Sequence, residues 1–326
     1  MNKLKLDNIL KEVGFDIIGY SKPILLEEYT KNIENRISND MFYYRNNYDF
    51  SNYSNAFSVV EDAKTIISVG ISYHQKNALC INNDVGYSKS SYGIDYHTLM
   101  YTKLSKVIDK LKEEYNNFEY YLNCDTKALD DRYFAYICGN GFYGKNTMII
   151  NEEYGSEVFY GTIVLDIDFD IEEASIVESK CGACNRCEVA CPMSCLSDYQ
   201  IDIKHCLSNK TQSKDMLSSD KLGKNIYGCD ICNNACPYNK DIEATSYFID
   251  EGTFDAKTLL LLSNAQYKEI FGDKSMSWLN KNIIKKNVIL NLPNIYSREE
   301  IIKIKDEMIV ESKLLEDAFK YILEEE

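Results

Sequence analysis

The chain has 326 residues, of which 45% are hydrophobic, and a formal net charge of −15 at pH 7. This length and composition predict a globular protein of two or three domains and exclude an intrinsically disordered chain. The charge argues against broad nucleic-acid affinity, which depends on neutralising phosphates, and the sequence shows neither a signal-peptide core nor a run of about 18 apolar residues that could span a membrane.

The first half of the chain alternates helical and extended patterns. Apolar residues at helical spacing predict the helices, and β-branched apolar runs predict the strands. The predicted helices span about residues 3–13, 98–115 and 129–138, and the predicted strands span about 15–20, 63–73, 118–122, 147–151 and 158–166. Residues 24–60 give no clear prediction. The alternation indicates an α/β (α+β) domain over residues 1–170.

Three motifs in this domain are candidates for chemistry. Asp125 follows a predicted strand and precedes a helix, which suits a catalytic acid, although an aspartate there also serves as a helix cap or turn former. The glycine-rich turn around Lys145 lacks the phosphate-binding pattern G-x4-G-K-[ST]. The stretch from Asp95 to Met100 half matches the corrinoid signature D-x-H-x-x-G, because His97 is present and the glycine is not.

The next segment, residues 171–245, is dominated by cysteines. Cys181 to Pro192 reads C-x2-C-x2-C-x3-C-P, the bacterial ferredoxin run in which three thiolates hold one [4Fe–4S] cluster and the fourth ligates the other cluster. A second run ends at Cys236-Pro237, but Ile226 stands where its first cysteine belongs. Cys206, between the runs, is the candidate replacement.

The crossover rule divides the eight ligands into two groups. The first cluster is assigned Cys181, Cys184, Cys187 and Cys236, and the second is assigned Cys191, Cys206, Cys229 and Cys232. Paired zinc sites and disulfides are the alternatives, and both C-P endings favour clusters. We expect Cys195 not to be a ligand, and we expect Cys80, Cys124 and Cys138 to be ordinary buried thiols. Eight thiolates reserved for metal also indicate a reducing, cytoplasmic location.

The last segment, residues 246–326, has a helical pattern. Residues 298–326 predict an acidic, amphipathic helix or helix pair. Lys281, Lys285 and Lys286 form the one noticeable basic cluster of this segment. They are therefore candidates for contact with a phosphate backbone, and a solvated helix face is the alternative.

Taken together, these motifs resemble those of the epoxyqueuosine reductase family. The resemblance reaches from the N-terminal helix to about residue 292 and rests on Asp125-Thr126, Asp131-Arg132, Gly141–Asn146, Tyr154–Ser156, Tyr227–Cys232, Cys206–Thr211 and both cysteine runs. It implies a cobalamin-binding reductase domain, then a ferredoxin-like domain with two [4Fe–4S] clusters, then a shortened HEAT-like helical segment.

The resemblance also implies an activity. Members reduce the epoxide of epoxyqueuosine in tRNA to queuosine, with electrons passing through the clusters to a base-off cobalamin. Asp125 would then be the proton donor, its pKa raised by the apolar corrin face. Cobalamin contacts are implied for Asp125, Lys145, Ile149, Ser208 and Thr211. Asp131-Arg132 would be a structural or substrate-positioning pair.

The implied partners are tRNA and a cellular electron donor such as ferredoxin or flavodoxin, and we expect a monomer. Two other functions remain open at this point. One is a cobalamin-dependent reductase of a small molecule, which the acidic charge and shortened helical segment favour. The other is an electron-transfer module that serves a partner protein, for which Asp125 would be dispensable.

Overall fold

The computed structural model of the chain describes residues 3–41, 52–75, 84–171, 176–245, 247–248, 253–310 and 312–324. The helices are α1 Lys3–Val13, α2 Glu27–Ser38, α3 Tyr96–Lys112, α4 Asp131–Ile137, α5 Arg186–Ala190, α6 Leu207–Lys210, α7 Ser219–Leu222, α8 Ile231–Asn234, α9 Ala256–Leu261, α10 Asn264–Phe271, α11 Lys281–Asn291, α12 Arg298–Glu307 and α13 Lys313–Glu324. The strands are β1 Ile17–Ser21, β2 Thr65–Ser72, β3 Asp84–Tyr87, β4 Tyr120–Asn123, β5 Phe142–Tyr143, β6 Ile149–Ile150, β7 Val158–Leu165, β8 Leu196–Ser197, β9 Gln200–Ile201, β10 Asn225–Tyr227 and β11 Thr253–Asp255.

The main sheet has the order β1-β2-β7-β4, and all its pairs are antiparallel. Every residue of β2 and β7 is buried, so both faces of the sheet centre are covered. Because side chains alternate along a strand, Ile67 and Val69 of β2 pack against α1 and α3, while Ile66 packs with α4 on the other face. The domain is therefore the α+β form of the predicted class.

A second sheet joins distant parts of the chain. Its order is β10-β3-β11, with β10 parallel and β11 antiparallel to β3. Each of these strands comes from a different predicted segment. One continuous hydrophobic core also runs from Leu6 of α1 to Phe319 of α13. The division at residues 170 and 245 stays a prediction, but the three segments share a sheet and a core.

Helix α11 is the centre of the C-terminal segment. All its residues from Ile284 to Asn291 are buried. Asn287 donates hydrogen bonds to the carbonyl oxygens of Thr211 and Ile226, and Asn291 donates to that of Asn225. The helix therefore holds the backbone of the preceding segment through polar side chains. Within the described residues, no helix is long and apolar enough to cross a membrane.

Candidate active site and cluster segment

The cysteine runs lie in short turns and helices that face each other. The first run covers the turn before α5 and that helix, and the second run covers α8, which packs against α5. All the described cysteines are free thiols. The seven predicted ligands other than Cys236 are partly exposed, and Cys236 is buried.

The electrostatic neighbours of Cys236 and Cys229 agree with the predicted crossover, whereas those of Cys232 include Cys187 as well as Cys206 and Cys229. Burial raises the pKa of Cys236, and repulsion from the Cys181 and Cys184 thiols adds to the shift. Burial likewise raises the pKa of Cys229 to about 12, with contributions from Cys206 and Cys191. Cys236 thus lies with the first run although it belongs to the second, and Cys191 lies with the second run although it belongs to the first.

The surroundings of Cys206 favour its thiolate form. It is the N-cap residue of α6, and Cys195 and the backbone N–H groups of Ser208 and Asn209 lie around its sulfur. Interaction with Cys195, the largest contribution, and with the two N–H groups lowers the pKa of Cys206 to about 6. Such a thiolate suits iron ligation, since hydrogen bonds to sulfur also tune cluster potentials.

The remaining cysteines differ in their surroundings. Cys124 and Cys138 are 0% and 4% exposed, which confirms them as buried thiols, and Cys80 lies outside the described residues. Cys195 is buried too, but its Sγ lies 3.5 Å from that of Cys191 and its thiol interacts with that of Cys206. It is a neighbour of the second group, and its exclusion as a ligand stays a prediction.

Asp125 lies in the loop between β4 and α4, with a left-handed backbone at φ +50°. Its carboxylate accepts hydrogen bonds from the Tyr96 hydroxyl at 2.9 Å and from Nε2 of His97 at 3.3 Å. Nδ1 of His97 lies 2.7 Å from the carboxylate of Asp95, which caps α3. The histidine therefore bridges two carboxylates.

The Asp125 side chain is 60% exposed. Desolvation favours the neutral acid, but hydrogen bonds from His97 and Tyr96 outweigh it and lower the pKa of Asp125. The chain's own residues therefore give the opposite of the raised pKa that we expected. Desolvation opposes ionisation of His97 as well, but the two carboxylates raise its pKa.

Three aromatic rings form a stack behind this acid. Tyr96 stacks on Phe159 of β7 with ring centroids 3.9 Å apart, and on His97 at 4.0 Å. Phe159 also contacts Tyr73, at 4.3 Å. The stack fixes the Tyr96 hydroxyl and the His97 ring against the main sheet, and both were missing from the predicted active site. Their position in the first turn of a helix, directly after the capping Asp95, was the available signal.

The pair Asp131-Arg132 separates into two roles. Asp131 is 8% exposed and points into the sheet, where it accepts hydrogen bonds from Asn123, Thr162 and the Asp125 backbone. Burial raises its pKa to about 7. The Arg132 side chain is 42% exposed on the side of Asp125, and Asp130 lies 3.6 Å from it. Asp131 therefore acts inside the fold, and Arg132 stays a candidate for positioning a substrate.

The residues predicted to contact cobalamin differ in how far their side chains are exposed. Thr211 is fully buried, its hydroxyl donating to Ser208 and accepting from the Gly228 backbone, so its side chain is not available to cobalamin. Ile149 is 1% exposed within the core, and its contact with cobalamin stays a prediction. Lys145 and Ser208 are partly exposed, and Nζ of Lys145 donates to the carbonyl oxygen of Gly182.

The predicted basic surface does not form. Lys285 is 3% exposed and donates to the carbonyl oxygens of Leu260 and Leu262 near the end of α9, while Lys286 is fully buried and donates to those of Ser213 and Asp215. Both ammonium groups satisfy backbone carbonyls, so they cannot contact a phosphate backbone. Of the three lysines, only Lys281 keeps a partly exposed side chain.

Two conserved-domain models match the chain. Residues 54–126 match the model described as Epoxyqueuosine reductase QueG, DUF1730, and residues 180–239 match the 4Fe-4S double cluster binding domain. The second match decides between clusters and paired zinc sites. The fold and these two regions together define an iron–sulfur oxidoreductase.

Comparison with whole proteins gives the family. The chain is 37% identical to the epoxyqueuosine reductase of Lactococcus garvieae over 262 residues, which cover 76% of this chain and 74% of that protein. The chain belongs to the epoxyqueuosine reductase family. Among solved structures, it resembles an epoxyqueuosine reductase bound to an epoxyqueuosine-modified tRNA-Tyr stem loop, with a TM-score of 0.90, 27% identity and coverage of 98% of this chain and 89% of that one. It also resembles the Bacillus subtilis enzyme with its catalytic aspartate loop swung out of the active site, with a TM-score of 0.88, 26% identity and coverage of 97% and 88%.

Proposed function

We propose that this chain reduces the epoxide of epoxyqueuosine in tRNA to the alkene of queuosine. Removing the epoxide oxygen as water consumes two electrons and two protons. The observation that carries the proposal is the exposed Asp125 carboxylate, hydrogen-bonded to Tyr96 and His97, in a chain that also carries a double-cluster segment. An electron-transfer module has no need of such an acid.

The cluster ligands follow the two groups described above. Cys181, Cys184, Cys187 and Cys236 hold the first [4Fe–4S] cluster, and Cys191, Cys206, Cys229 and Cys232 hold the second. The electrostatic neighbours of Cys229 and Cys236 support this crossover. The electrons enter from a donor such as ferredoxin or flavodoxin.

Cobalamin, when bound, supplies the low-valent metal that reduces the epoxide. The exposed carboxylate of Asp125 and the partly exposed side chains of Lys145 and Ser208 leave polar groups available to such a group. Arg132, exposed on the same side, would position the substrate. We further propose that the enzyme is a cytoplasmic monomer.

The first of the two protons comes from the Asp125–His97 pair, and the second reaches the departing oxygen from solvent. Because the pKa of Asp125 is lowered and that of His97 is raised, the pair holds a proton between Oδ2 and Nε2 up to higher pH than an isolated histidine would. Asp125 passes this proton to the epoxide oxygen as the C–O bond breaks. Asp95 stabilises the charged ring of His97 from its other side.

The test is Asp125→Asn in anaerobically reconstituted enzyme, with epoxyqueuosine-containing tRNA, a strong reductant and mass detection of queuosine. The amide keeps the shape of the side chain but cannot deliver a proton, so turnover should fall by about 10²–10⁴-fold with cluster and cobalamin content unchanged. Asp109→Asn, an exposed position on α3, is the control and should keep full activity. A near-fully active Asp125→Asn enzyme would refute the catalytic role, and a loaded wild type inactive on tRNA would refute the substrate.

A further inference from the structure

The loop that carries Asp125 is fastened at both ends by buried side chains. Asn123, at the end of β4, donates to the carbonyl oxygen of Leu129 at 2.9 Å and accepts from its N–H at 3.1 Å. The Asp125 N–H itself donates to Oδ2 of Asp131 at 2.7 Å. Asn123 is fully buried and Asp131 nearly so, so water does not compete for these bonds.

The Asp131 carboxylate is saturated with donors. Oδ2 accepts from both Asp125 and Asn123, and Oδ1 accepts from the Thr162 hydroxyl at 2.6 Å. Thr162 belongs to β7, in the centre of the main sheet, and is fully buried. The carboxylate therefore connects the rigid sheet directly to the backbone of the acid-bearing residue.

The conformation of Asp125 makes this connection consequential. Its φ of +50° lies in the left-handed region, which an L-residue adopts only at some cost, so the loop relaxes if the bond is lost. The same backbone conformation directs the carboxylate to Tyr96 and His97. An error of about 1 Å in a reacting group can cost about 10²-fold in rate.

We propose that Asp131 is a positioning residue for the reaction: its buried carboxylate latches the Asp125 backbone to the sheet and so orients the Asp125 carboxylate. The catalytic consequence rests on the proposed role of Asp125, whereas the latch itself does not. Asp131 touches no substrate atom and acts only through the loop.

Hydrogen–deuterium exchange of the reconstituted holoenzyme tests the latch without reference to activity. In Asp131→Ala, exchange of the peptide covering residues 125–129 should rise roughly 10- to 100-fold, the factor expected when a buried N–H donor loses its acceptor. Exchange in β2 and β7 should stay at its wild-type rate. On epoxyqueuosine-containing tRNA, kcat should fall by at least tenfold while KM stays within about twofold, because the loop carries the acid and not the binding surface.

Two variants separate positioning from general damage. Asp131→Asn keeps an oxygen that can accept from Asp125 and Asn123, and its amide can donate to Thr162, so it should restore both exchange and kcat to within about threefold of wild type. Val158→Ala, in the same strand as Thr162, removes buried methyl groups from a hydrophobic cluster that contains no residue of the loop and should leave its exchange unchanged relative to the sheet.

The outcomes distinguish this inference from the proposed function. Unchanged loop exchange in Asp131→Ala, or exchange raised equally in the sheet, overturns the latch. A freed loop with normal kcat overturns the positioning role. If the wild type does not act on this tRNA, the proposed function fails, and the exchange measurement still decides the latch.

Discussion

Replacing Glu157 tests how much a buried ion pair contributes to the stability of this protein. It is fully buried just before β7, and its carboxylate lies 2.5 Å from Nζ of Lys89 and 2.6 Å from Nδ1 of His74. Lys89 and His74 are themselves only 5% and 4% exposed. The Lys89 backbone N–H donates to Asp230, which lies between two predicted cluster ligands. The cluster of charges thus sits where the main sheet meets the cysteine segment.

Glu157→Gln removes the charge and keeps the size. The Lys89 ammonium then has no ionic partner on Glu157 while remaining buried, and breaking a buried ion pair in this way costs about 3–5 kcal/mol. With an unfolding entropy of about 2.1 cal/mol/K per residue, a chain of 326 residues should lose roughly 4–7 °C in Tm.

The assay is calorimetry or thermal unfolding followed by circular dichroism under anaerobic conditions. Glu27→Gln is the matched control, because Glu27 pairs with Lys31 at 3.2 Å with its side chain 89% exposed. An exposed pair within one helix contributes only about 0.3–0.5 kcal/mol, so Tm should move by less than about 1 °C. Similar small shifts for both variants would refute the reasoning from burial.

Three further outcomes are expected. Because burial raises the pKa of Asp131 to about 7, stability from this group is complete below about pH 4 and is lost as pH rises through about 7. Between about pH 4 and pH 7, the free energy of unfolding of the wild type should therefore fall by about 1.4 kcal/mol per pH unit relative to that of Asp131→Asn, which cannot ionise at this position. Unfolding at several pH values measures this difference, and a pH-independent difference contradicts the raised pKa. Cys206→Ser should halve the iron content from about eight atoms while Cys195→Ser keeps it, by iron assay of anaerobic protein, and full iron in Cys206→Ser would overturn the ligand assignment. Lys286→Gln should lose about 1–3 kcal/mol of stability, since it disturbs bonds to two buried carbonyl groups, and should leave the salt dependence of tRNA binding unchanged; a flatter salt slope would restore its role at the RNA surface.

The hydrophobic pattern of the sequence predicted several of the helices and strands of the domain that carries the candidate active site. The helix predicted over residues 3–13 is α1, Lys3–Val13, and the strand predicted over 63–73 is β2, Thr65–Ser72. The helical spacing of apolar residues determined α1, and a continuous β-branched apolar run determined β2, which is buried on both faces. Asp125 was placed by the same logic, as the residue that follows a strand. By contrast, α2, Glu27–Ser38, lies in a polar stretch whose pattern was too weak to predict it.

Interactions between distant residues could not be read from the sequence. Lys285 and Lys286 looked like a surface because charge usually marks solvent, but both lie in the buried stretch of α11 and donate to backbone carbonyl groups. Six of the eleven residues of this helix are Lys or Asn, so its composition gave no signal of burial. Glu157, His74 and Lys89 gave no comparable signal, since each is isolated in its own stretch and they meet only in the folded chain.

The sheet of β10, β3 and β11 also sets an order in which the protein can mature. The strand β3 emerges early during synthesis, but its partners are residues 225–227 and 253–255, so its edges stay open until most of the chain has been made. Moreover, β10 lies between Cys206 and Cys229 in the sequence, so the pairing of β10 with β3 also brings the second group of cysteines together. Iron–sulfur assembly therefore comes late in folding. A cell short of iron would accumulate chains with unpaired strand edges, which are prone to aggregate, rather than finished enzyme awaiting its cofactors.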